Sequence, residues 1–383
     1  MYISRVKLKN WKNFKEADVK LSERVFLVGP NASGKSNFLD VFRFLRDIAK
    51  EGGGLKKAIN DRGGISKIRC LASRRDPTIE IEIHLSEENQ DKPKWVYKLA
   101  IRQNTRGHRE PYLHYEQVYD SQGDIILNRP NNDDKADFAR LTQTHLEQIN
   151  SNAKFRDIAS SLESIVYMHL VPQLLRSPEL FSGPTLPGDP FGKQFLERVA
   201  KTQEKTRNKR LTNISNALTI AVPQLKSLDF VLDSTGHPHL EAVYQHWRAQ
   251  GAKQKEDQFS DGTLRLIGLL WILMEGTSPL LLEEPELSLH AGIVKRLPSV
   301  IWQLQKHTRR QVLISTHSAD LLSSQDISPE EVFLLTPDRE GTEIKRADSL
   351  KDIKALVNSG LSMGEVVIPK TAPKNITQLS LSF

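Results

Sequence analysis

The sequence predicts an α/β protein whose core comes from two separated stretches of chain, with an antiparallel β subdomain and a helical insertion between them. Three observations carry that prediction. The strand-like "VFLVG" enters a glycine-rich run, "GPNASGKS" (29–36), and leaves as a helical pattern. Residues 78 to about 127 switch to period-two alternation. After 258 the chain returns to buried helices and strands in alternation.

Taken in order, "ISRVKLKNW" and "DVKLSERVFLVG" read as strands ahead of the loop, and "NFLDVFRFLRDIAK" as a helix with Phe38, Val41, Phe42 and Leu45 at helical spacing. That order signals an α/β unit. The strands "TIEIEIHL", "KWVYKLAIRQ" and "YLHYEQVYD" are separated by polar loops such as "NTRGHRE" and suggest the antiparallel subdomain. A helical stretch over about 135–160 leads to a strand at "SIVYMHLV", and the Pro/Gly-rich 176–192 breaks regular structure as a linker.

Residues 193–221 look helical and charged, but Phe195, Leu196, Val199, Leu211, Ile214 and Leu218 are too irregular for a heptad, so no long coiled coil is expected. The last stretch reads helix "DGTLRLIGLLWILME", strand "PLLLEE", helix "AGIVKRLPSVIWQLQKH", strand "QVLIST", helix "ADLLSS" and strand "EVFLLT". No repeat or low-complexity tract interrupts it.

Composition narrows the class. With 383 residues, 38% hydrophobic and 26% charged, the chain can bury a sizeable core. The single cysteine, Cys70, cannot form an internal disulfide and has no Cys or His near it at zinc spacing, so a reducing compartment and a packed Cys70 are expected. The N-terminus lacks a continuous apolar segment, and the longest apolar run, "LIGLLWILM" (266–274), is short of the ~20 residues of a membrane span. A soluble, cytoplasmic protein without membrane contact is the expectation. Lys plus Arg is 54 against 47 for Asp plus Glu, net +7, which suits nucleic acid or phosphorylated partners. Basic clusters occur at 66–75 and 201–210; a solvated helix face explains the second as well as a DNA contact does.

The chemistry sits in four motifs. In Gly29–Ser36 the glycines let backbone N–H groups wrap phosphates, Lys35 reaches the β/γ-phosphates and Ser36 offers its hydroxyl to Mg²⁺ at a helix N-terminus. In "LLLEEPELSLH" (280–290) an apolar strand ends in adjacent carboxylates, which are expensive to bury without a cation or a reactive role. A neighbouring phosphate loop gives them both. Glu283 would hold or orient Mg²⁺, and Glu284 would polarise the attacking water. Glu283 replaces the usual aspartate, and its longer arm suits contact through water. "QFSDGTLR" (258–265) places Ser260 as a helix cap. "LISTHSADLL" puts His317 at the end of a further strand, where an imidazole could contact a γ-phosphate, although a lone histidine is more often a surface or core residue.

These motifs, in this order, resemble the ABC-type AAA ATPases of the RecF, Rad-fifty-like, structural-maintenance-of-chromosomes (SMC) and OLD group. The match covers 1–50 and 255–337 well and the middle loosely. The resemblance implies an ABC-ATPase head, a phosphate-loop NTPase, that binds ATP and Mg²⁺. It implies a nucleotide loop of Gly29, Pro30, Asn31, Ala32, Ser33, Gly34, Lys35, Ser36 and Asn37. Ser260, Asp261 and Gly262 become the signature that completes the site of a second subunit, so a homodimer of heads or a higher oligomer follows. Glu283 becomes the metal-side acid beside Ser36, Glu284 the catalytic base, His317 the switch histidine and 286–290 the loop that crosses between subunits. Gln173 in "LVPQLLR" is the candidate glutamine-loop residue. The signature reads F-S-D-G-T, and Asp261 puts a negative charge where a γ-phosphate would dock.

The implied organisation is an N-terminal half of the head with the β subdomain (1–175), a helical insertion (176–255), a C-terminal half (256–345) and a tail (346–383). "INDRGGISKIR" (59–69) and the helix after "FSDGT" resemble small stand-alone members found in bacterial defence against phage, and too few residues follow 337 for a nuclease domain. The leading expectation is therefore a regulatory ATPase that controls a separate nuclease or toxin effector. A RecF-like ATPase that clamps DNA is the alternative, and a slow, nucleotide-gated scaffold is a third. A transporter ATPase is disfavoured by the long insertion between loop and signature.

Overall fold

Every residue of strand β3 (Arg24–Val28) is buried, and neighbours along it serve two different cores. Side chains alternate across a strand. Val25 and Leu27 face the helix that follows the glycine-rich loop, whereas Phe26 and Val28 face the helix that begins at Asp261. A strand buried on both sides belongs inside a covered parallel sheet, and this is where the computed structural model puts it. The structure describes residues 1–74, 76–87, 92–104, 110–181, 183, 185–245 and 251–372.

Ahead of β3 lie β1 (Tyr2–Trp11) and β2 (Phe14–Lys20), and after it β4 (Ile79–Ser86), β5 (Trp95–Gln103), β6 (Pro111–Tyr119) and β7 (Ile125–Arg129). These six form one antiparallel sheet in the order β2-β1-β4-β5-β6-β7. The first two strands thus join the β subdomain rather than the α/β core, because their inward residues Ile3, Val6 and Leu8 pack with Ile81, Ile83 and Leu85 of β4.

The second sheet runs β15-β14-β3-β13-β12-β8. Its members are β8 (Val166–Met168), β12 (Leu280–Glu283), β13 (Val312–Thr316), β14 (Val332–Asp338) and β15 (Gly341–Arg346), and all neighbours are parallel except β14 with β15. The loop helix, Lys35–Ala49, lies between the two sheets and brings Phe38, Phe42 and Leu45 to their shared core. The signature helix, Asp261–Leu273, covers the other face and is apolar almost all round.

Between the sheet halves, Phe195–Lys201 and Glu204–Ala221 are helical as the sequence predicts. The insertion also holds β9 (Leu225–Leu232), β10 (Pro238–Tyr244) and β11 (Ala252–Lys255), an antiparallel three-stranded sheet in the order β11-β10-β9. Polar outward residues such as Lys226, Asp229 and Glu241 hide its alternation in the sequence. The helix expected over 135–160 is broken into short pieces, Asn132–Ala136, Phe138–Thr142, Ala153–Phe155 and Arg156–Glu163, because Arg129, Glu116 and Asp134 pin the intervening chain to β6 and β7. "ADLLSS" forms a single tight turn, Leu321–Ser323. The tail packs on the core through Ile353, Met363, Val366 and Val367. Arg75 of the first basic cluster, 105–109 of the "NTRGHRE" loop, two residues of the linker (182 and 184), and 373–383 lie outside the described residues. Among the described residues no helix is long and apolar enough to cross a membrane.

Candidate active site

At the carboxyl ends of the parallel strands, β3 opens into the glycine-rich loop and β13, paired with it, ends at Thr316 opposite Val28. Gly29 is there for close approach: a Cβ on it would stand 2.5 Å from Ser33 Oγ and 2.6 Å from the Leu335 carbonyl. Gly34 has φ +100 and would push a Cβ to within 2.0 Å of Asn13 Nδ2. Asn13 is the brace. Its Nδ2 donates to the Ser33 carbonyl at 3.0 Å and to Thr342 Oγ1 at 2.6 Å, and its Oδ1 accepts from Asn37 Nδ2 at 2.9 Å.

The loop helix starts at Gly34 without a side-chain cap and without an acid in its first turn. Its first N–H groups are therefore left for an anion. Ser33 Oγ is buried without a partner, and Lys35 Nζ curls back onto the Gly29 and Pro30 carbonyls at 2.9 and 3.1 Å. Burial lowers the Lys35 pKa, with the charges of Glu284, Glu283 and Glu286 opposing it. A buried ammonium inside a ring of peptide dipoles fits a polyphosphate. Asn31, Ala32 and Ser36 are exposed at the mouth, while Gly29, Ser33, Gly34 and Lys35 form the floor.

The acid-ended strand meets this loop for a reason of register. In β12, Leu281 faces the loop-helix core and Leu280 and Leu282 the signature-helix core. Glu283, two residues after Leu281, falls on the loop-helix face. There one carboxylate oxygen accepts from the Ser36 hydroxyl and the other from the Tyr167 hydroxyl. Tyr167, opposite Leu281 in the β8 pairing, is held by the Arg43 guanidinium 4.0 Å over its ring. Its own pKa is raised by burial first and by the Glu283 charge second.

Glu284 takes φ 44, a left-handed backbone that a non-glycine residue rarely holds. Its N–H donates to the Ser315 carbonyl at 3.0 Å, and its side chain is turned to His317, whose Nδ1 stands 3.1 Å from Oε1. Ser36, Glu283, Glu284 and His317 thus gather at the carboxyl ends of the inner strands. Oxygen donors from Ser36 and Glu283 suit a hard divalent cation whose remaining ligands are phosphate and water. Among the described residues no group of three or more His, Cys, Asp or Glu could hold a metal on protein donors alone.

The signature residues lie elsewhere. Ser260 caps the signature helix, accepting from Thr263 N–H at 3.1 Å, and is exposed. Gly262 lets the 286–290 loop sit on it, since a Cβ there would stand 2.6 Å from the Ser288 carbonyl. Asp261 pairs with Arg176 at 2.5 Å and accepts from Gln173 Nε2 at 2.7 Å. Gln173 therefore stands by the signature rather than in hydrogen-bond contact with Ser36 or Glu283. Sequence reasoning missed Asn13, Tyr167 and Arg176; the single tyrosine in "SIVYMHLV" was the only signal for one of them.

A cleft of about 780 Å³ adjoins the loop at Asn13 and Asn37 and is lined by Lys12, Lys67, Arg69, Arg74 and Arg339. Exposed Leu71 lines it too.

A family profile described as "AAA domain, putative AbiEii toxin, Type IV TA system" matches residues 24–324. The DNA replication and repair protein RecF of Gloeobacter violaceus is 25% identical over 222 residues, which cover 56% of this chain and 55% of RecF. The chain spans about half the length of that curated relative. Among solved structures, the SmcHead bound to the C-winged helix domain of ScpA aligns with a TM-score of 0.55 at 16% identity, covering 90% of this chain and 98% of that one. The Smc head domain with an extended coiled coil, bound to the C-terminal domain of ScpA derived from Pyrococcus furiosus, gives 0.53 at 15% identity over 94% and 99%. At such identities the likeness speaks for the fold alone. The profile spans most of the chain, so the chain belongs to this AAA-domain family, and its fold is that of the Smc heads.

Proposed function

We propose that two copies of this ATPase close around ATP and Mg²⁺, and that closure controls a separately encoded nuclease or toxin in bacterial defence against phage. The observation that carries the closure is the signature helix itself. Thirteen residues long and buried along its length, it exposes its N-terminal Ser260 to solvent. A helix N-terminus offers N–H donors and positive potential to an anion, here the terminal phosphate held by the other subunit.

Within one head, Lys35 and the first N–H groups of the loop helix hold the phosphates, and the glycines keep the backbone close. Ser36 and Glu283 would hold Mg²⁺, which would neutralise charge on the transferring phosphoryl group. Glu284 orients the attacking water and takes up its proton, and His317 steadies that carboxylate. Catalysis is then mainly positioning and electrostatics. The basic cleft beside Asn13 and Asn37 is placed to take the nucleoside end.

The effector reading is supported by the toxin wording of the matched family. A second reading, a DNA-clamping repair ATPase, is favoured by the RecF similarity and by the five cations of the same cleft, Lys12, Lys67, Arg69, Arg74 and Arg339. Both readings place the protein in the cytoplasm. The test is mass determination of what co-purifies with Glu284→Gln protein from its own host in Mg²⁺-ATP. A stoichiometric nuclease or toxin supports the first reading, and a dimer holding only DNA moves the conclusion to the second.

A further inference from the structure

The face of the parallel sheet turned away from the loop helix holds a second polar cluster, enclosed in the protein. Glu286 is 7% exposed and Arg265, on the signature helix, is 5% exposed. Glu286 Oε1 accepts from Thr316 Oγ1 at 2.5 Å, and Thr316 Oγ1 accepts in turn from the Ser318 N–H at 3.0 Å. Those bonds bracket His317. Arg265 Nη1 donates to the Glu284 carbonyl at 3.4 Å. The helix residue thus holds the Glu284 carbonyl and the loop residue the Thr316 hydroxyl, on the two sides of the Glu284–His317 contact.

One polar atom on each of the two side chains is left over. Glu286 Oε2 and Arg265 Nε are both buried without a hydrogen-bond partner. Burial weighs most on Arg265, and among the charges that offset it Glu286 leads, ahead of Asp261 and Glu284. Opposite charges enclosed together and only partly bonded are held less favourably than a made pair.

We infer that Arg265 and Glu286 act as one positioning unit that ties the signature helix to the segments carrying Glu284 and His317, so that the catalytic groups follow the helix. Alternation places the parts for this. Thr316 lies on the signature-helix side of β13 with Val312 and Ile314, while Leu313 lies on the loop-helix side. The helix that presents Ser260 outward is therefore coupled, through the sheet, to the acid and imidazole of its own chain. Nucleotide on one head then influences the site that its signature completes. The inference rests on the roles proposed above for Glu284 and His317.

The test is steady-state ATP hydrolysis by the full chain carrying Arg265→Gln, Glu286→Gln and both, with thermal melting and binding of a fluorescent ATP analogue measured alongside. Each single variant is expected to lower kcat about tenfold, the order of a positioning coupling. Analogue affinity stays within about threefold, and the double variant is no slower than the slower single. Losses that multiply in the double variant, or a single variant with wild-type kcat, overturn the pairing. Glutamine at 286 can still accept from Thr316, so Thr316→Val breaks the same chain by a second route, without removing a charge, and is expected to slow kcat on its own. A Thr316→Val variant with wild-type kcat also sinks the idea. Glu284→Gln, run in parallel, separates the two questions: wild-type turnover in it removes the base assignment, while non-additivity of the pair is read from its own variants.

Discussion

His317 Nδ1 stands 3.1 Å from Glu284 Oε1, joining the ends of two neighbouring parallel strands. The contact aims a carboxylate that its own left-handed backbone, φ 44, has already turned away from the strand direction. Glu284→Gln is expected to lower ATP turnover by about 10²–10⁴, the range of a lost general base. Nucleotide binding should survive, because Lys35 and the loop are untouched. Hydrolysis assays paired with equilibrium binding check this, and loss of both together would contradict it.

Lys35→Ala should behave in the opposite way. Its ammonium already bonds two loop carbonyls and is enclosed by the loop. Removing a charged donor set of this kind weakens nucleotide binding by about 10- to 100-fold. Calorimetric titration with ATP is the measurement. Lys35→Arg is expected to rescue little, since the planar fork does not fit a space shaped for a point charge.

Gly34→Ala should damage the loop through its backbone. At φ +100 the new Cβ meets the Asn13 amide, the same group that braces Ser33 and Thr342. Strain of this type costs about 1–3 kcal/mol. Both melting temperature and ATP affinity are expected to fall. Asn13→Ala should lower affinity with a smaller loss of stability.

Ser260→Ala removes a helix cap, which costs about 0.5–2 kcal/mol of stability. If Ser260 serves the partner's nucleotide, ATP binding by the isolated head stays unchanged while ATP-dependent dimerisation weakens. Light scattering with and without ATP separates these effects. Equal loss in both would leave Ser260 as a cap only.

The β subdomain carries its own pH dependence. Arg129 bonds Asp134 at 2.8 and 3.1 Å and Glu116 at 3.0 Å, with all three side chains fully enclosed. Burial pushes Asp134 up, but the Arg129 hydrogen bond and the Asn131 N–H outweigh it and hold the acid at about 2. A depressed carboxyl stabilises the fold above its unfolded pKa of about 4, and that stabilisation is lost as pH falls towards 2. Denaturant midpoints between pH 5 and 2 should therefore fall less steeply in Asp134→Asn than in the wild type. Arg129→Met, which strands two buried carboxylates, is expected to cost about 3–5 kcal/mol.

Much of the site was legible in short stretches. The loop, the acid pair, the cap and the histidine each span a few residues, and the strand-turn-helix context of Gly29–Ser36 follows from local spacing. What resisted reading was weakly patterned or distant. The strands of the insertion carry polar outward faces, and the helical expectation over 135–160 ignored the buried ions that break it.

By itself the sequence determined the order of motifs, their strands and helices, and the family they resemble, because glycine conformation, side-chain alternation and helical spacing act over a few residues. The tertiary structure decided which distant groups meet. Tyr167 reaches Glu283 from 116 positions away, Asn13 braces Ser33 from 20, and Asp261 finds Arg176 and Gln173. Such contacts follow from strand order in two stacked sheets, and nothing in the local chain encodes that order.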